Sequence, residues 1–95
     1  MSVLEIALFQ FKSGVTEDQV KAALSDSDRW LGRQPGFVSR RHGSSAEGRM
    51  DIVEWSDSAA ARAAAEAFMA APEACGLMSI IDPGTVVMRH FDMLA

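Results

Sequence analysis

Three side chains that can carry protons lie on predicted strands: Glu5, Asp51 and His90. A carboxylate can act as a general base when burial raises its pKa, and a histidine changes its charge near neutral pH. Glu5 alternates with Ala7 and Phe9, which places its carboxylate on an apolar strand face. A hydrogen bond or ion pair between two subunits is the alternative role for Glu5. These three residues are the catalytic candidates.

The orientation of His90 stays open at this stage. His90 follows Arg89, and the alternation of a strand sends the two side chains to opposite faces. Both faces are similarly apolar, so the pattern does not decide which residue points inward. A structural or solvent-facing histidine is the alternative to a role in a pocket. His42 or a nearby arginine is a further group that could stabilise an anion.

Periodicity and capping signals predict the elements that position these residues. Alternating apolar residues over 3–11 predict a strand, and the helix over 16–33 begins with a capping box of Thr16 and Gln19. An antiparallel hairpin, an alanine-rich helix, a short successor helix and a last strand follow. Their predicted ranges are 37–42 and 50–55 around a turn at 43–48, then 58–71, 72–78 and 85–93.

This β-α-β-β-α-β order predicts a ferredoxin-like α+β fold with a four-stranded antiparallel sheet, formed by residues 1–95 as a single domain. Helices cover only one face of such a sheet. The other face should be polar in a monomer, yet neither face of the first strand is polar. An exposed apolar face of that size usually marks an interface. The sequence therefore predicts a homodimer in which the two open faces pack together.

Composition and charge exclude several classes of function. The 95 residues carry a net charge of −4, which disfavours binding to nucleic acid or to an anionic membrane surface. The basic residues Arg40, Arg41 and Arg49 surround a hairpin and are interpreted as a solvated edge. Cys75 is the single cysteine, which excludes an internal disulfide, and its apolar neighbours predict burial. The expected location is the cytoplasm.

Three segments resemble the dimeric α+β barrel superfamily: the opening from Ala7 to Glu17, the turn Pro35-Gly36-Phe37, and Ile52-Val53-Glu54-Trp55 leading into a helix. This superfamily includes the antibiotic-biosynthesis monooxygenase family and the stress-responsive barrel family. The resemblance implies two ferredoxin-like subunits that form a barrel, with a small-molecule pocket between each sheet and its helices. The pocket residues expected on that basis are Ala7, Phe9, Val53 and Trp55.

Two activities found in the superfamily do not match this chain. The haem-degrading members use an asparagine and a histidine where this chain has Ala7 and Ala65, and alanine cannot bind iron. The polyketide cyclases carry histidines where this chain has Glu5, Asp51 and the turn Ala71-Pro72-Glu73-Ala74. A carboxylate could still act as a base at the first two positions.

Cofactor-independent monooxygenation makes the fewest demands on the residues. A phenol or hydroquinone deprotonated in a dry pocket can itself transfer an electron to O₂, so we expect no cofactor and no metal. Trp55 matches an aromatic residue of such pockets, although packing in the core or at an interface is its alternative role. The chain has no tyrosine. A non-catalytic ligand-binding or stress-associated dimer, or a purely structural dimer with a filled barrel, therefore remains an alternative to an enzyme that acts on a small aromatic ligand.

Overall fold

The computed structural model describes residues 1–94 and has the element order expected from the sequence, with a third helix for the short successor. The strands are β1, β2, β3 and β4, and the helices are α1, α2 and α3. A 3₁₀ turn over Pro83–Thr85 precedes the last strand. In chain order the elements are β1 Val3–Phe9, α1 Glu17–Gly32, β2 Phe37–Ser45, β3 Gly48–Trp55, α2 Ser58–Phe68, α3 Pro72–Ile80 and β4 Val87–Asp92.

The four strands form one antiparallel sheet in the order β2-β3-β1-β4. Together with the helices this is the ferredoxin-like α+β fold, which confirms the predicted fold class. In the register between β1 and β3, Glu5 lies opposite Val53 and Ala7 lies opposite Asp51. These side chains face the helices, and the intervening Leu4, Ile6 and Leu8 face the other way. We call the two surfaces the helix side and the open side of the sheet.

The capping box at the start of α1 is present as predicted. The Thr16 hydroxyl accepts a hydrogen bond from the backbone amide of Gln19 at 3.2 Å, and the Gln19 side chain accepts one from the Thr16 amide at 2.8 Å. These bonds satisfy two backbone donors that the helix itself cannot pair. The first turn of α1 is therefore held where Glu17 can reach Arg49 on β3, at 2.6 Å.

The core lies between the helix side and α1, α2 and α3. Trp55 is only 1% exposed, and its ring meets the ring of Phe37 edge-on at a centroid distance of 5.9 Å. Trp30 of α1 meets Phe68 of α2 in the same manner at 5.4 Å. The buried Ala61 keeps α2 close to this cluster. Burial of these large rings contributes strongly to the stability of the domain.

Three local features differ from the expectations. The strands β2 and β3 continue through residues 43–45 and 48–49, so the turn contains only residues 46–47. Cross-strand hydrogen bonds outweigh the turn preference of this Gly- and Ser-rich segment. The predicted burial of Cys75 is wrong: this residue is exposed on α3. The predicted second helix also ends earlier, at Phe68 instead of Ala71, whereas the successor helix begins at Pro72 as predicted.

The open side of the sheet carries an apolar patch beside a few charged residues and is uncovered within the described residues. Leu8, Met50, Val87 and Phe91 on this side are exposed to solvent. The sheet register places these four side chains with Ile6 and Ile52 on one surface. No helix in residues 1–94 combines the length and the apolar character that crossing a membrane requires.

Gly36 permits the close approach of β2 to α2. Its backbone has φ +82°, and a Cβ atom at this position would lie 2.5 Å from the Cβ of Ala60 and 2.7 Å from the Oγ of Ser56. We expect Gly36→Ala to lower the free energy of unfolding by about 3 kcal/mol, because strain and overpacking add.

The matched control is Gly32→Ala at the end of α1, where a new Cβ atom has no neighbour within 4 Å. This control should leave stability unchanged or raise it by up to about 1 kcal/mol. Urea denaturation of both variants measures the difference. Equal effects at the two positions would contradict the proposed role of Gly36.

Candidate functional site

A cavity of about 350 Å³ lies between the helix side of the sheet and the three α-helices. This volume is in the range of small-molecule sites. Small side chains leave the space open, because Ala7 of β1 and both Ala64 and Ala65 of α2 line it. Its other apolar lining residues are Phe9, Trp30, Leu31, Val53, Trp55, Phe68, Met69, Leu77, Met78, Ile81, Pro83, Val86 and Met88.

The structure places the four expected pocket residues, Ala7, Phe9, Val53 and Trp55, in the wall of this one cavity. They come from the central strands β1 and β3, whose alternation turns these side chains toward the helices. Among the described residues that line the cavity, Glu5, Arg40 and Asp51 are charged. The cavity is therefore an apolar space with a few polar groups on the sheet.

Arg40 and Asp51 form a buried ion pair in the wall. The Nε and Nη2 groups of Arg40 donate hydrogen bonds to the two carboxylate oxygens of Asp51, at 2.9 and 2.7 Å. Its Nη1 group donates to the Oγ of Ser27 at 2.7 Å and to Asp28 at 2.8 Å. The side chains of Arg40 and Asp51 are only 6% and 13% exposed. This network joins β2 and β3 to α1.

Burial lowers the pKa of Arg40, but its hydrogen bonds and charge interactions with Asp51 and Asp28 outweigh burial and hold that pKa above its ordinary value. Arg40 is therefore a permanent cation with its charge already paired. Both carboxylate oxygens of Asp51 accept hydrogen bonds from Arg40, so Asp51 is a poor base for a bound ligand.

The interpretation of Arg40 as part of a solvated edge is wrong. The sequence did contain a sign of this burial. Arg40 and His42 are two residues apart on β2, so they face the same side of the sheet, and His42 lies opposite Asp51 on β3.

Glu5 and His90 form the second polar group of the site. They lie opposite each other on β1 and β4, and the Nε2 atom of His90 is 2.7 Å from the Oε2 atom of Glu5. The Glu5 side chain is 14% exposed and lines the cavity, and the His90 side chain is 43% exposed. The open question of orientation is thereby answered, because His90 shares the helix side with Glu5 and Arg89 faces the open side.

Trp55 belongs to both the core and the cavity wall. Its indole is buried, and the Nε1 atom has no hydrogen-bond partner within the described residues. A buried donor without a partner is costly in free energy. The two roles considered for Trp55 are therefore compatible: the ring packs in the core, and the same residue lines the cavity.

The fold is shared with several solved structures. SnoaB, a cofactor-independent oxygenase from Streptomyces nogalater, superposes with a TM-score of 0.76 at 20% identity, over 99% of this chain and 94% of that chain. A dimeric ferredoxin-like protein of unknown function from Jannaschia sp. CCS1 has a TM-score of 0.74 at 13% identity, over 98% and 100%. A hydroxynitrile lyase from Passiflora edulis has a TM-score of 0.65 at 15% identity, over 95% and 91%.

These similarities confirm, at the level of the fold, the resemblance to dimeric ferredoxin-like barrel proteins. No protein-family model matches the chain, and no curated protein matches its sequence. The similar structures include an oxygenase and a lyase, so the fold alone does not identify the chemistry.

His42 is a half-buried histidine beside the site, and both of its ring nitrogens are shielded from solvent. Its ring lies 6.0 Å from that of Phe9, and neither of its ring nitrogens has a hydrogen-bond partner within the described residues. Burial lowers the pKa of His42; the charge of Asp51 opposes this shift, while Arg40 and Arg49 reinforce it. The folded protein therefore holds His42 as a neutral imidazole near neutral pH.

This lowered pKa predicts acid destabilisation. As the pH falls below about 6.5, the unfolded chain binds a proton at His42 before the folded chain does, so the free energy of unfolding decreases until the folded pKa is passed. Replacement by an apolar ring in His42→Phe should flatten the pH dependence between about pH 7 and pH 5. Urea denaturation across this range provides the test. The control is His90→Gln, which leaves His42 in place and should still show the decrease in the free energy of unfolding at low pH. Identical slopes for His42→Phe and the unchanged protein would refute the assignment.

Proposed function

We propose that this protein is a homodimer whose cavities bind small aromatic compounds, and that it oxygenates a bound phenol or hydroquinone with O₂ and without a cofactor. The observation that carries the proposal is the carboxylate of Glu5, which lines a mainly apolar cavity and, unlike that of Asp51, has no partner of permanent positive charge within residues 1–94. SnoaB, with the same fold, is a cofactor-independent oxygenase, which is consistent with the proposal.

The cavity suits an aromatic ligand in both shape and chemistry. Its volume accommodates one or two fused rings, and the rings of Trp30, Phe68 and Phe9 contribute to its wall. Aromatic rings bind such walls by dispersion and edge-to-face contacts. The unpartnered Nε1 of Trp55 supplies a donor for an oxygen atom of the ligand. Binding of this oxygen would satisfy a buried donor that has no partner within residues 1–94.

Glu5 is the base in the proposed reaction. The O–H bond of the phenol breaks, and its proton passes to the Glu5 carboxylate. The phenolate transfers one electron to O₂, and the resulting aryloxyl radical and superoxide combine to form a carbon–oxygen bond. The peroxide takes the proton back, and its outer oxygen leaves as water with the hydrogen of the same carbon. One phenol and one O₂ thus give one quinone and one water.

His90 is a positioning residue in this scheme. Its Nε2 atom is within hydrogen-bond distance of Glu5, which fixes one carboxylate oxygen and leaves the other for the ligand. Arg40 does not contribute a free cation, since Asp51 and Asp28 already neutralise it. The dry wall around Glu5 strengthens the interaction of the phenolate with its surroundings and keeps water from the radical pair.

We expect purified protein to consume O₂ with electron-rich naphthols or hydroquinones and to place one atom of isotopically labelled O₂ in the product. Glu5→Gln should lower kcat about 100-fold, the usual scale for loss of a general base. His90→Gln should lower it about 10-fold, because Glu5 remains as the base. Oxygen uptake and product mass spectrometry measure these effects.

Glu66→Gln is the matched control, because Glu66 is exposed on α2 and does not line the cavity. It should leave kcat unchanged. Uptake without incorporation of the label would indicate simple autoxidation and would reject the reaction. Ligand binding without any uptake would favour the non-catalytic ligand-binding dimer instead.

The proposed dimer forms through the open side of the sheet. This surface is too apolar for a monomer, with Leu8, Met50, Val87 and Phe91 exposed on it. A two-fold axis would bring two copies of the surface together and remove these side chains from water. The Jannaschia protein of the same fold is dimeric, which is consistent with this arrangement.

We expect sedimentation velocity to show a dimer at micromolar concentration and Phe91→Glu to convert it to a monomer. A buried charge without a partner opposes association strongly. Met69→Glu is the control, because Met69 is more exposed than the four exposed apolar residues of the open side but lines the cavity on the other side of the sheet. This variant should remain dimeric. A monomeric unmodified protein would overturn the proposed dimer.

A further inference from the structure

We infer that the cavity selects uncharged aromatic compounds and excludes their carboxylate counterparts. This inference rests on the proposed small-molecule function but concerns binding, so it does not require turnover. It depends on three features of the site: an arginine whose charge is already paired with carboxylates, a second carboxylate that lines the cavity, and an apolar entrance.

Arg40, the single cation among the described residues of the cavity wall, already has its guanidinium nitrogens paired with protein acceptors. Arg40 donates two hydrogen bonds to Asp51, one to Asp28 and one to Ser27, at distances of 2.7 to 2.9 Å. A bidentate arginine–carboxylate pair leaves little attraction for a second anion. With two aspartates around one guanidinium, this corner of the site has a net negative charge.

Glu5 adds a second negative region to the same wall. Its carboxylate lines the cavity, and its neighbour His90 is a cation only when protonated. In the sheet register, Val53 lies between Arg40 on β2 and Glu5 on β1. A ligand that covers Val53 is therefore flanked by the Arg40–Asp51 pair on one side and by Glu5 on the other.

The solvent-exposed residues of the cavity wall, within residues 1–94, carry no charge that could compensate. Met69, Met78, Val86 and Met88 line the cavity and are also solvent-exposed. Methionine side chains are flexible and polarisable, so they contact neutral rings of different width. They cannot replace the water lost by a carboxylate on entry.

The expected selectivity follows from Coulomb's law. A ligand carboxylate about 7 Å from Glu5, at an effective dielectric constant of about 20, binds roughly 50-fold more weakly than a neutral group of the same size. Loss of hydration makes the penalty larger. A neutral phenol is not repelled by Glu5 and loses no hydrated charge when it binds.

The test uses three probes: a naphthol, the hydroxynaphthoate that differs from it by one carboxylate, and the methyl ester of that acid. The ester separates charge from size. Calorimetry without O₂ should give similar dissociation constants for the naphthol and the ester, and a value at least about 30-fold larger for the acid.

Glu5→Gln should then improve binding of the acid at least about 10-fold with little change for the ester. Glu66→Gln removes the same charge from the exposed face of α2 and should not change either constant. A thermal melt of each variant separates lost folding from altered selectivity. Asp51→Asn provides a second route, since it frees part of Arg40 and should also favour the acid.

Every outcome decides between the alternatives. Equal affinity for acid and ester, or no binding of the neutral probes, overturns the inference. Equal gains from Glu5→Gln and Glu66→Gln would indicate only a long-range charge effect and would also overturn it. Selectivity without O₂ uptake would support the inference and reject the oxygenase proposal. O₂ uptake without selectivity would support the oxygenase proposal and reject the inference.

Discussion

The register between β1 and β3 determines both surfaces of this protein. It places Glu5 opposite Val53 and Ala7 opposite Asp51, so that one set of side chains faces the helices. The alternate set, with Ile6 opposite Ile52, forms the open side. A slip of one residue would exchange the two sets and turn Glu5 away from the helices. The cavity, its polar groups and the apolar open surface therefore depend on one ladder of hydrogen bonds.

Arg40 shows how a polar group can be kept in an apolar wall. Its guanidinium is buried, and the cost of burying it is offset by Asp51, Asp28 and the hydroxyl of Ser27. Ser27 is completely buried and also bonds to the carbonyl oxygen of Leu24. The network fixes the distance between α1 and the sheet. It thus keeps one side of the cavity open without placing a reactive group there.

Local sequence signals predicted much of the fold. Alternation identified β1, the capping box identified the start of α1, and the element order identified the sheet. Features that depend on contacts between distant segments were harder to predict. The two faces of the last strand are similarly apolar, so only its pairing with β1 shows that His90, and not Arg89, meets Glu5. The burial of Arg40 likewise requires both the register of β2 with β3 and the approach of α1.

The edge strand β4 carries two roles on adjacent residues. His90 lies on the helix side within hydrogen-bond distance of Glu5, whereas Phe91 faces the open side and belongs to the proposed interface. Because alternation links their directions, the strand cannot rotate at one residue without moving the other. Occupation of the cavity and association of two chains are then energetically coupled wherever either event shifts β4. By thermodynamic reciprocity, a ligand that tightens association must itself be bound more tightly by the dimer.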